Sequence, residues 1–440
     1  MNQLFSNLHD GGAIAAIFSE QGFVERCLQF ERELAGVQAE LGVIPEEAAQ
    51  EIGRVARIQN IDLVQLKRKT QTVGLPMVGL VSQVVALCRD DLGQYAHYGA
   101  TTQDVMDCAL ALQMQEALTL VGGSLTRISA ALDGLAKEYQ YTLQAGRTNQ
   151  QHALPVTFGF KAAIWNSGVR RQMDRLAEVI PRAATGQLGG AVGTLASFSG
   201  AGHETKHRLM RKLGLNEPDV AWHCMRDGPA EAVLFLSQVA ATLGKIGRDM
   251  LMLSSTEVGE LAFAAGRGAS STMPQKNNPV AASSVVALSR MLFHTAPMML
   301  EASMVENERS LDAWYVELHA VPQCFSLMGA LLAQTTAMLD EVVVNPASMA
   351  RNITLTGGAI ATETLQMELA RDIGLNRAHE LVASACRKSR QEGVSIAQAL
   401  VALQPGLDEA VLDSLLDVHK HTPFSVREID ASRRPARPRS

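Results

Sequence analysis

The stretch DVMDCALALQMQEALTLVGGSLTRISAALDGL, residues 104–135, decides the fold. Within it Leu110, Met114, Ala117, Val121, Leu125, Ile128, Leu132 and Leu135 follow one another at steps of three or four. That spacing lines one face of an α-helix and predicts about nine turns, beyond the three to four usual in globular proteins. Gly122-Gly123 is the weak point, where a bend is expected. Comparable amphipathic segments occupy residues 156–179, 230–254, 279–305 and 311–344, with little strand pattern between them. Five such segments predict a helical bundle, and their length implies faces buried against other subunits.

Outward from this core the pattern shortens. In residues 23–41, Phe23, Cys27, Phe30, Leu34, Val37 and Leu41 predict an amphipathic helix. Gly42-Val43-Ile44-Pro45 ends it, and Pro45 can open the next. After Val344 the helices are short, broken by Gly357-Gly358, Gly374 and Gly393. The expected organisation is all-α: an N-terminal helical domain (1–104), a central bundle (105–345), a C-terminal helical domain (346–430) and a disordered, basic, Pro-rich tail (431–440).

Composition fits. Of the 440 residues 47% are hydrophobic and 19% charged, which excludes a disordered chain. Only 5% are aromatic, so the cores are filled by Ala, Leu, Val and Met, which favours helices. A net charge of −6 does not advertise a nucleic-acid or membrane-surface binder, and by itself disfavours an anionic ligand. The six cysteines lack CxxC spacing and read as free, buried thiols rather than disulfides or zinc ligands. Residues 1–12 show no basic-then-apolar signal pattern. No apolar run is read as long enough to span a bilayer; residues 292–305 come closest but carry His294, Pro297 and Glu301. A cytoplasmic location is expected.

Three polar loops between the helices are the places for chemistry. The first, residues 97–104, holds His97, Gly99, Thr101, Thr102 and Asp104. Thr101 or Thr102 can cap the long helix, with Asp104 placing negative charge in its first turn. The second, residues 146–155, holds Arg147, Thr148, Asn149, Gln150, Gln151 and His152. One cation among hydroxyls and amides suits a carboxylate-binding turn. The third, residues 266–279, is small in side chain and carries a single lysine, Lys276; its Met273-Pro274 and Asn278-Pro279 pairs restrict the backbone. Such a composition suits a lid. Trp222, His223 and Arg226-Asp227 form a further polar patch, read as a structural Arg–Asp pair.

The third loop, Ala269-Ser270-Ser271-Thr272-Met273-Pro274-Gln275-Lys276-Asn277-Asn278-Pro279, resembles the signature loop of the fumarase/aspartase superfamily, Gly-Ser-Ser-x-Met-Pro-x-Lys-x-Asn-Pro. Ala269 stands where glycine is usual. The other two loops match the family's remaining regions in order and approximate spacing. The resemblance implies a homotetramer with a twenty-helix core, each active site built by the three regions from three subunits. It implies reversible β-elimination next to a carboxylate, with no metal or organic cofactor. Ser270 aligns with the catalytic serine, whose hydroxyl needs the loop's backbone N–H groups and Lys276 to become a base. Lys276 and Asn278 align with carboxylate-binding residues. Thr101, Thr102, Arg147, Thr148, Asn149, Gln151, Ser271, Met273 and Arg309 are the further substrate-contact candidates. An ion pair with Glu308 or Glu317 is the alternative for Arg309. His97 is a candidate catalytic residue, to orient a carboxylate or relay protons; His152 is equally well a structural histidine.

Within the superfamily, His97-Tyr98-Gly99 with Thr101, Asp104 and Val105 is similar to adenylosuccinate lyases and 3-carboxy-cis,cis-muconate cycloisomerases. So are Glu31, the segment 42–45 and residues 189–194. Thr72-Val73-Gly74-Leu75-Pro76-Met77-Val78 lacks the lyases' Arg-His-Asp-Val, and Ala313-Trp314 with Glu317 resembles the cycloisomerases' Gly-Ala-Trp-His-x-Glu. Asn149 stands where many lyases carry a general-acid histidine, and Asn307 replaces another histidine before Glu308-Arg309. A carboxylate leaving group needs little protonation, so Asn149 favours lactone chemistry over loss of an amine. The resemblance thus implies a cycloisomerase of protocatechuate (β-ketoadipate) degradation acting on a tricarboxylate diene; a fumarate-releasing C–N lyase is the alternative.

Overall fold

The computed structural model describes residues 10–198, 200–264 and 267–433. Residues 1–9 of the stretch read for a signal, Gly266 of the third loop and residues 434–440 of the basic tail lie outside them. Helices dominate, with two small two-stranded sheets among the described residues.

Five long helices carry the architecture: α1 (Thr102–Glu138), α2 (Phe158–Ala183), α3 (Asp227–Leu253), α4 (Val280–Thr295) and α5 (Leu311–Glu341). In α1 the expected stripe is buried from Leu110 to Leu132, and only Leu135 is half-buried. The helix runs through Gly122-Gly123 without interruption. A Cβ on Gly122 would sit 3.1 Å from Leu176 Cδ2, so this glycine lets α2 pack close.

Three expected segments differ at their ends. Residues 156–157 are strand, and α2 starts after them. The segment 279–305 is broken: α4 ends at Thr295, and Pro297 precedes a separate short helix, Met298–Ala302. Proline lacks the N–H and clashes with the preceding turn. Finally, α5 stops at Glu341 because Val342–Val344, three β-branched residues in a row, pair antiparallel with Leu261–Phe263. By length and composition α5 could cross a membrane, which corrects the reading that no such stretch exists. Most of its apolar window is buried within the protein, as in a core helix.

The chain forms two compact units, to which all five long helices contribute. The first comprises Met1–Thr126, Arg171–Gly244 and Ser284–Gln334. Its core joins Phe30 and Leu34 of the helix Glu20–Glu40, Ile52 of Glu46–Val55, Leu80 of Met77–Leu87, and Val105 and Cys108 of α1. The second comprises Arg127–Arg170, Lys245–Ser283 and Thr335–Ser440. Here Leu365, Val382, Ile396, Leu400 and Leu412 from four short helices form a core, and Ser395 and Gln398 close a capping box. All six cysteines are free, with Cys27, Cys108 and Cys324 buried.

The polar patch around Trp222 lies in the first unit. Arg226, 3% exposed, pairs bidentately with Asp107 (2.8 and 2.9 Å) and with Glu317 (2.5 and 2.9 Å). The Trp222 ring lies 4.6 Å beneath the guanidinium. The structural reading of Arg226 is right, but its partners are remote in sequence rather than Asp227. Burial, reinforced by Asp107, holds the Glu317 carboxyl above its usual range, although Arg226 pulls it down.

Arg226→Met should strand two buried carboxylates and cost about 3–5 kcal/mol of stability, measured as a lowered urea midpoint. The loss should be smaller at acid pH. A carboxyl whose folded pKa is raised takes up its proton more readily in the folded state, and protonation removes the uncompensated charge.

Candidate active site

The first loop is organised by Asp104, which is fully buried. Asp104 sits in the first turn of α1 and accepts the N–H of Thr101 at 3.0 Å, the backward half of a capping box. Its two oxygens also accept the N–H groups of Gly189 and Gly190, each at 2.9 Å, and Nε2 of His223 at 2.9 Å. Asp104 is therefore a tie between three segments and not merely a favourable charge at a helix start. Gly190 has φ +69°, and a Cβ there would press within 3.3 Å of the Gly99 carbonyl. This explains why glycines stand opposite the loop.

Beside this tie, Arg309 is held by Gln103. The Gln103 Oε1 accepts from Arg309 Nε at 2.6 Å, while Gln103 Nε2 donates to the His223 carbonyl at 2.8 Å. Arg309 Nη1 donates to the Ala191 carbonyl at 3.1 Å, and Nη2 is buried without a partner. Neither Glu308 nor Glu317 pairs with it; Glu317 is taken by Arg226. Thr101, Thr102, His97 and Arg309 thus belong to one unit.

The second loop is not a loop. Residues Leu143–Thr148 (β1) and Gln151–Thr157 (β2) form a hairpin, with Thr148 facing Gln151 across a two-residue turn. Asn149 (φ +48°) and Gln150 (φ +64°) are both left-handed, as a type I′ turn requires. Asn tolerates this conformation better than most residues, which gives Asn149 a backbone reason to be there. Thr148, Asn149 and Gln151 are exposed at the tip.

Arg147, by contrast, is committed. It makes a bidentate pair with Glu260 at 2.6 and 2.9 Å, and Glu260 also accepts from Gln144 (2.6 Å) and Asn352 (2.8 Å). Glu260 is fully buried, so Arg147 neutralises it. His152 has a buried Nδ1 without a partner, and burial, then the Arg147 charge, lower its pKa. Glu260 is not among the residues singled out in the sequence; its signal is an acid directly before the apolar run Leu261–Phe263.

The third loop is closed on itself. Ala269 and Asn277 form an antiparallel bridge, and Asn278 donates both its backbone N–H (2.9 Å) and Nδ2 (2.8 Å) to the Gly268 carbonyl. Gly268 has φ +81°, and a Cβ there would collide with the Asn278 carbonyl oxygen at 2.1 Å. At the turn, Ser270 Oγ accepts from the backbone N–H of Met273 (3.1 Å) and of Thr272 (3.3 Å). Two amide dipoles aimed at one hydroxyl oxygen stabilise negative charge on it. Ser271, Met273 and Lys276 are exposed. Among the described residues of this unit, no hydrogen bond or ion pair joins Ser270 or Lys276 to Arg147 or Thr148.

The helical fold and the small-residue loop around Ser270 define the class to which the chain is compared. The chain belongs to the lyase family of the fumarase/aspartase superfamily, whose family model matches residues 12–292. It is 37% identical to trans-aconitate decarboxylase 1 of Mycosarcoma maydis, over 91% of this chain and 82% of that protein. To the 3-carboxy-cis,cis-muconate cycloisomerase of Acinetobacter baylyi it is 36% identical, over 89% of this chain and 88% of that one. The crystal structure of a fumarate lyase from Mesorhizobium sp. BNC1 superposes with a TM-score of 0.90 at 35% identity, covering 96% of this chain and 98% of that one.

Asn149→Gly should leave the hairpin intact, whereas Asn149→Val should cost about 1–3 kcal/mol through a strained positive φ. Thermal unfolding of the two variants side by side checks this.

Proposed function

We propose that the protein is a 3-carboxy-cis,cis-muconate cycloisomerase. The observation that carries the chemistry is Ser270 Oγ held by two backbone amides. The relatives support the substrate class, since two of them are named for tricarboxylate chemistry, on trans-aconitate and on 3-carboxymuconate.

In lactonisation one substrate carboxylate oxygen adds to the diene, forming the C–O bond. The electron pair moves onto the carbon alpha to another carboxylate, and Ser270 delivers its proton there. The Ser270 oxide left behind is stabilised by the N–H groups of Thr272 and Met273, with Lys276 adding positive charge nearby. In the reverse direction the same oxide removes the alpha proton. The expelled group is then a carboxylate, which needs no general acid, so an exposed asparagine at position 149 does not impair the reaction.

Carboxylate binding falls to Lys276, to Arg309, and to Thr101, Thr102, Thr148, Gln151, Ser271 and Asn278. Arg147 contributes chiefly by anchoring the hairpin on Glu260. A homotetramer in which each site takes its three regions from three copies belongs to this reading, as does a cytoplasmic location. Exposed apolar side chains on the long helices, among them Leu120, Ile164, Met291 and Phe293, support such assembly.

A C–N lyase that releases fumarate is the second reading, favoured by the fumarate lyase structure. A panel of 3-carboxymuconate, muconate, trans-aconitate and adenylosuccinate separates the possibilities. The expected result is loss of 3-carboxymuconate ultraviolet absorbance; fumarate release from adenylosuccinate instead would establish the lyase. Ser270→Ala should lower turnover by about 10³-fold with circular dichroism unchanged. Full activity in that variant would remove the serine from the mechanism.

A further inference from the structure

Glu31 lies on the helix Glu20–Glu40, 66 residues before His97, and is 2% exposed. Its Oε1 accepts from His97 Nδ1 at 2.7 Å, while Oε2 is buried with no partner. The neighbouring Cys27 thiol is wholly buried and offers no charge to offset the carboxylate. A buried carboxylate with one donor is costly unless that donor is cationic. His97 is itself held at φ +60°, which a histidine adopts only when its surroundings impose it. Among the described residues its other ring nitrogen, Nε2, has no partner and is not buried.

We propose that Glu31 is a positioning residue: by accepting the Nδ1 proton it fixes the His97 ring with a proton on both nitrogens, so that Nε2–H is presented to a carboxylate of the substrate. The inference rests on the polycarboxylate reading above, but not on which reaction follows binding. The charges facing the ring are Glu31 from its helix and Asp104 from α1. Burial opposes the cation, and the Glu31 charge and hydrogen bond, helped by Asp104, outweigh it, so the imidazole pKa is raised. The cation therefore persists to higher pH than in a free histidine, and carboxylate binding is lost as pH rises through the raised value. Sequence alone left the role of His97 open between orienting a carboxylate and relaying a proton; the proposal takes the first.

The test is Glu31→Gln, which keeps the shape and removes the charge. The His97 Cε1–H resonance and the affinity for tricarballylate, a non-reacting tricarboxylate, are followed from about pH 5.5 to 8.5. The expected result is a lower His97 midpoint in the variant and about tenfold weaker tricarballylate binding near neutrality. An unshifted midpoint in a folded variant overturns the proposal, and so does a shifted midpoint with unchanged tricarballylate affinity. Should Glu31→Gln not fold, Glu31→Asp is read by the same two measurements. A midpoint in the wild-type protein at or below that of a free histidine also overturns it. Shifted titration and weakened tricarballylate binding in an enzyme that leaves 3-carboxymuconate untouched would sink the cycloisomerase reading and uphold the role of Glu31.

Discussion

The buried carboxylate of Asp104 is the constraint on which the arrangement of the first unit's loops depends. A fully buried anion must be saturated by donors, and here the donors come from three places at once: the cap of its own helix, the Gly189-Gly190 turn and His223. Because every one of these bonds requires its segment in place, the start of α1, the glycine turn and the chain around His223 are held together. Gln103, next to Asp104, extends the same network to Arg309. A single acid in the first turn of a long helix thereby fixes the loop that precedes it.

The second unit repeats the device with Glu260. Its carboxylate gathers Gln144, Arg147 and Asn352, from the hairpin and a later helix, immediately before the strand that leads toward the Ser270 loop. The consequence for charge is less obvious than the count of −6 suggests. Arg147 and Arg226 are cations, yet both are consumed by buried acids. Within the first unit one nitrogen of Arg309 is left unpartnered, and within the second Lys276 is exposed. Bulk charge does not report on such local differences, because they are decided by which charged groups an internal acid has already satisfied.

Much of the architecture was legible. The three- and four-residue steps of residues 104–135 mark α1, since a stripe of that length has no use outside a helix buried along its side. The third loop was legible for a different reason, its resemblance to the superfamily signature from Ala269 to Pro279; just before it, Gly268 meets a steric demand, since a Cβ there would strike the Asn278 carbonyl. Less was visible where structure depends on pairing. The hairpin around Asn149 went unrecognised because Gln151–Thr157 includes a proline and alternates poorly, and its register exists only once β1 is opposite. Proline at 297 ends α4 locally, a break that the apolar spacing of residues 279–305 does not carry.

By itself, then, the sequence determined the helical class and the places of the long segments, because periodicity is a local property of the chain, and its motifs pointed to the family. Only the tertiary structure decided which charged groups are spent and which are free. That Arg147 belongs to Glu260, that Arg226 belongs to Asp107 and Glu317, and that His97 leans on Glu31 are facts about side chains far apart in sequence. The cost of burying an unpaired charge enforces those matches, and it acts only when folding has removed the water.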